Sequence, residues 1–178
     1  DVDTDTFALN IDQVRAAITP QTKAIVPVHL YGQGVDMESL LALAAERGIP
    51  VVEDTAQALG ARYTFSDGRS LALGTLGTIG CTSFFPSKNL GCMGDGGAVF
   101  TRDAALAERI KMMANHGQKV KYRHDVVGCN SRLDTLQAAI LRVKLRHLDS
   151  YAAARQAAAA RYDACLAGLA GLQTPVRR

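Results

Sequence analysis

One lysine in this sequence lies in surroundings that are unusual for a solvated charge. Lys88 belongs to the segment TSFFPSKNLGCMGDGGA (82–98), between two phenylalanines and a glycine-rich stretch. Such a lysine is either turned sideways into solvent or is an amine with a tuned pKa. A desolvated amine has a lowered pKa and attacks carbonyl groups, with which it forms a Schiff base. The residues alone leave both interpretations of Lys88 open.

An acidic pair ends a segment that has the pattern of a buried strand, IPVVEDTAQ (49–57). Glu53 and Asp54 are adjacent, so in a strand their side chains point to opposite faces and cannot form an acid/base pair of carboxylates. Asp54 is either a helix cap or the partner of a pyridine nitrogen in a cofactor that Lys88 holds. The pair of Lys88 and Asp54 therefore raises the hypothesis of a Schiff-base site.

The elements that must position these residues alternate between strand and helix in the first half of the chain. The pattern predicts strands at 23–32, 49–57, 77–84 and 97–101, and a helix at 36–48 that stops at Gly48. Strand, helix and strand in this order are typical of a parallel sheet. Ligands gather beyond the carboxyl ends of such strands, where His29, Asp54 and Ser83 lie.

Helices dominate the second half of the chain. The sequence predicts a helix at 103–115 and an almost continuous, alanine-rich helical region at 133–169, with a bend at the HLDS stretch (147–150). The connection between them is polar and basic. Its residues Lys119, Lys121, Arg123 and His124 either attract a diphosphate group or form a solvated loop.

The glycine-rich segment GCMGDGG (91–97) matches neither of two common nucleotide-binding motifs. A predicted strand follows it, whereas a dinucleotide fingerprint opens a helix, and the Gly-Lys-Ser/Thr ending of a P-loop is absent. Its glycines permit either a hairpin or the close approach of the backbone to a bound group.

Composition narrows the class of protein. The chain has 178 residues, 48% hydrophobic and 21% charged, which is ordinary for one soluble globular domain. A net charge of +3 is too small to indicate a nucleic-acid partner. We expect no membrane span and no signal peptide from the apolar runs and the start DVDTDTFALN. Four scattered cysteines without a CxxC pair predict no metal site, and they indicate a reducing, cytoplasmic location.

Five segments together resemble the DegT/StrS family of sugar aminotransferases: PVHLYGQ, VVEDTAQALGA, SFFPSKNLGCMGDGGAVFT, NHGQ and NSRLDTLQAAILRVKL. The resemblance implies pyridoxal 5'-phosphate as cofactor and the α/β large domain of fold-type-I aminotransferases, a mostly parallel sheet with flanking helices. It also implies conversion of a nucleotide-linked keto sugar to an amino sugar, with glutamate as donor, in polysaccharide or natural-product biosynthesis. The segment around Lys88 favours members that act at the third carbon of the sugar.

The resemblance also implies roles for single residues. Lys88 resembles the lysine that bonds to the cofactor and moves a proton, and Asp54 the aspartate that keeps the pyridine nitrogen protonated. Gln57 resembles the glutamine beside the ring hydroxyl, and Ser83 a ligand of the cofactor phosphate. Asn130 resembles an asparagine that reaches the phosphate in the neighbouring subunit, which implies a homodimer with shared active sites. His29 either orients Asp54 or is an ordinary histidine at a strand end.

The family's members are markedly longer than this chain. We therefore expect residues 1–178 to be a single partial domain, the central part of the cofactor-binding large domain, incomplete at both ends, with helix 133–169 leading toward a C-terminal small domain. Thr55 and Met93 depart from the family's usual alanine and aromatic residue. Relatives that dehydrate sugars carry histidine in place of the lysine, so Lys88 favours transamination.

Two rival functions stay open at this point. One is a non-catalytic member that binds the cofactor or regulates. The other is an aminotransferase that acts on an aminocyclitol or another small keto substrate.

Overall fold

The computed structural model describes residues 1–177. Its elements in chain order are α1 (Ile11–Ala17), a 3-10 helix (Leu30–Gly32), α2 (Met37–Arg47), β1 (Val52–Asp54), β2 (Arg62–Thr64), β3 (Ser70–Ala72), β4 (Ile79–Ser83), β5 (Gly97–Phe100), α3 (Ala104–Ala114), β6 (Gln118–Val120), β7 (Arg123–His124), α4 (Thr135–Lys144), a second 3-10 helix (Leu145–His147) and α5 (Leu148–Leu166).

The central sheet has the strand order β1-β4-β5. Strand β1 pairs with β4 in parallel, as the sequence predicts, and β4 pairs with β5 antiparallel. The long connection between β4 and β5 is therefore a wide hairpin, which confirms the hairpin interpretation of the glycine-rich segment.

The strand predicted at 23–32 lies beside β1 but is shorter and interrupted. Ile25 and Val28 form parallel bridges to Val51 and Asp54. Pro27 between them has no N–H to donate, so the ladder cannot run without a break. Its carbonyl still accepts the Asp54 N–H at 2.9 Å. This segment extends the parallel part of the sheet by one partly paired strand.

Helix α2 matches its prediction closely because both of its ends are encoded locally. The Asp36 side chain accepts the Ser39 N–H, and Gly48 ends the helix in the left-handed conformation with φ +62°. Met37, Leu40 and Leu43 are almost completely buried. Met37 and Leu40 belong to the main hydrophobic core together with Val51, which lies two residues before Glu53 and so on the same face of the sheet.

The two faces of the sheet have different surroundings. Along β1 and β4 burial alternates, and Glu53 pairs with Gly80 on the core face. Asp54 pairs with Cys81, and Cys81 pairs with Val99, so these three side chains share the opposite face. Val99 on that face is 49% exposed. The face that carries Asp54 is therefore open within residues 1–177.

The region predicted as nearly continuous helix at 133–169 consists of two helices. Helix α4 ends at Lys144, a 3-10 turn covers 145–147, and α5 ends at Leu166. This turn begins two residues before the expected bend (147–150) and shares His147 with it. Gly168, with φ +78°, marks the point where the chain has left helical geometry. No helix within residues 1–177 combines the length and the apolar character needed to cross a bilayer.

Three elements have no counterpart in the predictions from sequence. They are helix α1, the β2–β3 hairpin and the β6–β7 hairpin. The β2–β3 turn contains Asp67-Gly68, a dipeptide typical of tight hairpins, with Gly68 at φ +85°. That signal was available in the sequence.

Candidate active site

Four of the five expected site residues lie at or just beyond the carboxyl ends of two neighbouring parallel strands. Asp54 is the last residue of β1 and Ser83 the last of β4. Because Asp54 pairs with Cys81, Ser83 lies two residues further along on the same face. The Cα atoms of Asp54 and Ser83 are then roughly 8 Å apart, from two residues of strand rise and one interstrand spacing. Gln57 and Lys88 belong to the connections that leave these strand ends.

The Asp54 carboxylate lies on the open face and is only partly engaged. Its Oδ1 accepts the N–H of Ala56 at 2.9 Å. Burial raises the pKa of the neighbouring Cys81 thiol, and the charge of Asp54 raises that pKa further. Cys81 therefore stays a neutral thiol near neutral pH.

Glu53 points into the core, which agrees with the prediction that Glu53 and Asp54 face opposite ways. Its Oε2 lies 3.1 Å from His29 Nε2, and both side chains are completely buried. The His29 Nδ1 accepts the Val35 N–H, so the ring proton is on Nε2 and is donated to Glu53. The partner of the His29 ring is thus Glu53. Only the His29 backbone bonds Asp54, since its N–H donates to the Asp54 carbonyl at 3.0 Å.

The Glu53 carboxylate also accepts three backbone N–H groups from the turn before β4. Oε2 accepts the Gly74 N–H at 2.8 Å, and Oε1 accepts the Leu76 and Gly77 N–H groups at 2.7 Å each. Burial by itself raises the pKa of this carboxyl. The hydrogen bonds from His29 and from the turn outweigh burial and hold the Glu53 pKa below its ordinary value.

Gln57 and Ser83 each keep hydrogen-bonding capacity toward the open face. Gln57 Oε1 accepts the Tyr31 N–H at 2.9 Å, which leaves the two amide protons of Gln57 for another acceptor. Tyr31 has φ +57°, a left-handed conformation that is rare for an aromatic residue. Ser83 Oγ accepts the Phe85 N–H at 3.1 Å and keeps its own proton to donate.

Lys88 lies at the tip of the connection between β4 and β5, which we call the Lys88 loop (84–96). Its backbone N–H donates to the Phe85 carbonyl at 2.9 Å, which fixes a tight turn. The side chain is partly exposed. Within residues 1–177, no hydrogen bond or ion pair engages the amine.

Asn130 lies elsewhere, against β5 and α3. It is exposed, and its Oδ1 accepts the Arg132 Nε–H at 3.1 Å. It lines a cavity of about 930 Å³ together with Cys81, but the lining does not include the other four expected site residues. The chain itself does not bring Asn130 into the group at the strand ends.

The basic residues of the second hairpin are exposed, and two of them have acidic partners. Lys119 lies 2.6 Å from Glu108, whose hydrogen bond and charge raise the Lys119 pKa, and Arg123 lies 3.3 Å from Asp125. The His124 Nδ1–H donates to a backbone carbonyl. These contacts favour the interpretation of the run as a solvated loop.

Comparison with known proteins identifies the family. The family model of the DegT/DnrJ/EryC1/StrS aminotransferase family matches residues 1–178. The chain belongs to this family. The resemblance noted in the sequence is thereby confirmed over the whole chain.

Relatives from bacteria show how closely the chain follows the family. It is 53% identical over 163 residues to the dTDP-3-amino-3,4,6-trideoxy-alpha-D-glucose transaminase of Streptomyces venezuelae, covering 92% of this chain and 42% of that protein. It is 53% identical over 175 residues to the UDP-2-acetamido-2-deoxy-3-oxo-D-glucuronate aminotransferase of Pseudomonas aeruginosa, covering 98% of this chain and 47% of that protein. The chain thus spans less than half the length of these relatives.

Solved structures of the family have the same fold. The crystal structure of S. venezuelae DesV in complex with a ketimine intermediate superposes with a TM-score of 0.89 at 49% identity, over 98% of this chain and 46% of that one. The expected α/β fold of type-I aminotransferases is therefore confirmed for this DegT/StrS chain.

The side chains at the strand ends fit the cofactor of DegT/StrS aminotransferases, pyridoxal phosphate. A pyridinium N–H needs a carboxylate acceptor, a phosphate needs donors, and an aldehyde needs an amine. Asp54 has an acceptor to offer, the Ser83 hydroxyl and the Gln57 amide have donors, and the Lys88 amine has no partner within residues 1–177. The end of β1, the end of β4 and the connections that leave them therefore carry the groups that such a cofactor needs.

Proposed function

We propose that the protein is an aminotransferase that uses pyridoxal phosphate to convert a nucleotide-linked 3-keto sugar to a 3-amino sugar, with glutamate as donor. Family membership supports the reaction class. The names of the two relatives described above support a nucleotide sugar and its third carbon. The structure of NtdA from Bacillus subtilis contains the cofactor PMP, and it matches at 34% identity with a TM-score of 0.73 over 83% of this chain and 33% of that one.

One observation carries this proposal. Asp54 ends β1 on the open face of the sheet, and the loop that leaves the neighbouring strand β4 carries Lys88, whose amine has no partner within residues 1–177. When bound, pyridoxal phosphate supplies a ring that accepts electrons from the carbon next to the amino nitrogen. Asp54 would hold a proton on the pyridine nitrogen. The Lys88 Nζ would bond to the cofactor and would also serve to move a proton.

The remaining residues at the strand ends bind and orient the cofactor. The Ser83 hydroxyl would donate to its phosphate, and the Gln57 amide would donate beside its ring hydroxyl. The hydrogen bond from Tyr31 N–H to Gln57 Oε1 fixes which end of that amide faces the ligand. We further propose that residues 1–178 are the central part of the cofactor-binding large domain and that the enzyme acts in the cytoplasm.

The experiment that tests this proposal locates the covalent bond. The protein expressed from its full reading frame is incubated with pyridoxal phosphate, reduced with borohydride and digested for mass spectrometry. The cofactor should be fixed on Lys88. Lys88→Ala should abolish labelling and turnover, whereas Lys23→Ala, a control at an exposed lysine, should change neither. Labelling of a different lysine would overturn the assignment.

A second subunit completes each active site in this proposal. Asn130 is exposed and remote in sequence from the Lys88 loop, and large apolar side chains nearby in the chain are exposed, with Val127 at 94% and Leu136 at 78%. We propose that this surface faces a second copy and that Asn130 binds the partner's cofactor phosphate. Mixing Lys88→Ala with Asn130→Ala subunits should restore one intact site per mixed dimer. Activity no higher than that of either parent would refute the shared site.

A regulatory function is the second candidate, because one relative carries such a name. The chain is 51% identical over 166 residues to the pleiotropic regulatory protein of Geobacillus stearothermophilus, covering 93% of this chain and 43% of that one. Turnover of a nucleotide-linked keto sugar with glutamate separates the two functions. Cofactor binding without turnover of any keto sugar, cyclitol ketone or small keto acid would favour regulation.

A further inference from the structure

The Lys88 loop is closed at its base by backbone hydrogen bonds. Phe84 N–H donates to the Gly96 carbonyl at 2.7 Å, and Cys92 N–H donates to the Phe84 carbonyl at 2.8 Å. The bonds tie the two ends of the loop together, but they leave its middle, 86–91, with few partners of its own. What holds that middle determines where the Lys88 amine points.

Helix α4 holds the loop through two side chains that are seven residues apart. The Gln137 Oε1 accepts the Met93 N–H at 2.8 Å, and the Lys144 Nζ donates to the Gly91 carbonyl. Residues seven apart lie two turns apart on one face of a helix. The same face of α4 therefore binds one donor and one acceptor of the loop backbone.

The Gly91 carbonyl is available to Lys144 because the loop turns back tightly on itself. A Cβ at Gly91 would lie 2.3 Å from the Pro86 carbonyl oxygen, so no other residue fits here without moving the backbone. Gly91 is three residues from Lys88. A bond from an ammonium group to a carbonyl is charge-assisted and stronger than one between neutral groups.

Apolar packing and a hydrogen bond from α5 also hold the Lys88 loop on either side of the Lys144–Gly91 contact. Leu90 and Cys92, on either side of Gly91, are buried against Leu141 of α4 and Leu148 of α5. Arg155 of α5 donates to the Asn89 Oδ1 at 3.3 Å. The residue after Lys88 and the three that follow it are thus all in contact with the helices or with the core between them.

Asp54 and Lys88 are positioned by different parts of the structure. The ladder between β1 and β4 fixes Asp54, whereas Lys88 lies outside any ladder. We propose that Lys144 and Gln137 are positioning residues that set the Lys88 amine relative to Asp54 by fixing the backbone of the Lys88 loop. This inference rests on the proposed function, since it concerns the same lysine.

The test replaces Lys144 by methionine in the protein expressed from its full reading frame. Lys144→Met removes the donor but keeps an unbranched apolar stem, and Lys144→Arg restores a charged donor. Arg142→Met is the matched control, because Arg142 is exposed on the same helix and makes no hydrogen bond or ion pair with the loop within residues 1–177. Gln137→Leu tests the second anchor separately.

Two measurements report on positioning without relying on turnover. One is the rate at which borohydride fixes pyridoxal phosphate on Lys88. The other is amide hydrogen exchange at 89–95 compared with exchange in α2. We expect Lys144→Met to slow labelling and to lower kcat by about tenfold to a hundredfold, the loss expected for a misplacement of about 1 Å. Exchange should rise at 89–95 but not in α2, and KM for the sugar should stay within about threefold, since the displaced group is the amine that reacts and the loss should fall mainly on kcat.

The outcomes separate this inference from the proposed function. Labelling of the unmodified protein at another lysine would refute the proposed function, and the positioning role with it. Labelling at Lys88 with equal rates in the unmodified protein and in Lys144→Met would refute only the positioning role. Exchange that rises equally in α2 and in the loop would mean general destabilisation and would also refute it. Rescue of labelling by Lys144→Arg, with Arg142→Met unchanged, supports the inference.

Discussion

Replacing Glu53 by glutamine should destabilise the protein far more than its small change in size suggests. The carboxylate accepts four hydrogen bonds in a fully buried position, two at each oxygen. Glutamine keeps one oxygen and presents an NH₂ group at the other. Whichever way the amide is turned, two buried N–H donors then face another donor and lose their acceptor.

The magnitude follows from those two donors. A buried donor left without an acceptor costs about 1–3 kcal/mol, so Glu53→Gln should lower the free energy of unfolding by about 2–6 kcal/mol. That is a large fraction of the roughly 5–15 kcal/mol by which domains are stable. Glu46→Gln is the matched control. Glu46 is half exposed and pairs with Arg15 and Arg47, and such surface pairs contribute about 0–1 kcal/mol.

Urea denaturation of both variants, followed by circular dichroism, measures these losses. The midpoint of Glu53→Gln should fall well below that of Glu46→Gln at pH 7, with similar slopes. A loss under about 1 kcal/mol for Glu53→Gln would refute the reasoning, because it would mean that the turn 74–77 finds other acceptors at little cost.

Three further predictions concern stability in acid, the role of Asp54 and the exposed face of the sheet. Because the Glu53 pKa is lower in the folded than in the unfolded state, the stability it contributes is fully present above its unfolded pKa and is lost as the pH falls through the folded value. The unmodified protein should therefore lose stability in acid more steeply than Glu53→Gln, and parallel losses in urea melts at pH 3 to 7 would contradict this. Asp54→Asn should retain pyridoxal phosphate binding, measured by absorbance, but should slow transamination by about a hundredfold or more. A loss below about tenfold, roughly 1.4 kcal/mol of barrier, would remove Asp54 from the role proposed for it. Residues 1–178 expressed alone should bind a hydrophobic dye strongly, because the sheet face with Asp54 exposes Val26, Val28 and Val99; weak dye binding together with a sharp thermal transition would show that this face is covered in solution.

Local signals explain which elements the sequence predicts well. Helix α2 has its N-cap at Asp36 and its stop at Gly48, so both ends follow from single residues. The first strand was predicted at the right place but without the interruption at Pro27, whose missing N–H breaks the ladder. Helices α4 and α5 share one alanine-rich pattern, and the pattern does not show the 3-10 turn at 145–147 that separates them.

Local sequence signals likewise predict only some of the residues of the candidate site. Asp54 and Ser83 lie at strand ends, as the local pattern predicts. The residues alone leave two interpretations of Lys88 open, and the roles predicted for Gln57, Ser83 and Asn130 rest on the family resemblance.

No local signal predicts the anchors of the Lys88 loop, because Gln137, Lys144 and Arg155 lie 44, 53 and 66 residues from the atoms they bind. The spacing of seven between Gln137 and Lys144 indicates a shared helix face, but only the tertiary structure shows what that face contacts.

Glu53 and Asp54 are adjacent in β1 but have different roles, one structural and one proposed for the site. Alternation along a strand sends one carboxylate into the core and the next onto the open face. The core carboxylate binds His29 from the preceding segment and the turn that leads into β4. It therefore fixes the backbone of β1 on both sides, and the direction of Asp54 follows from that backbone. The His29 ring thus acts on Asp54 through Glu53, and the His29 backbone bond to the Asp54 carbonyl survives any change of side chain. His29→Gln, which can still donate to Glu53, should therefore lower the affinity for pyridoxal phosphate, measured by absorbance titration, less than Glu53→Gln does.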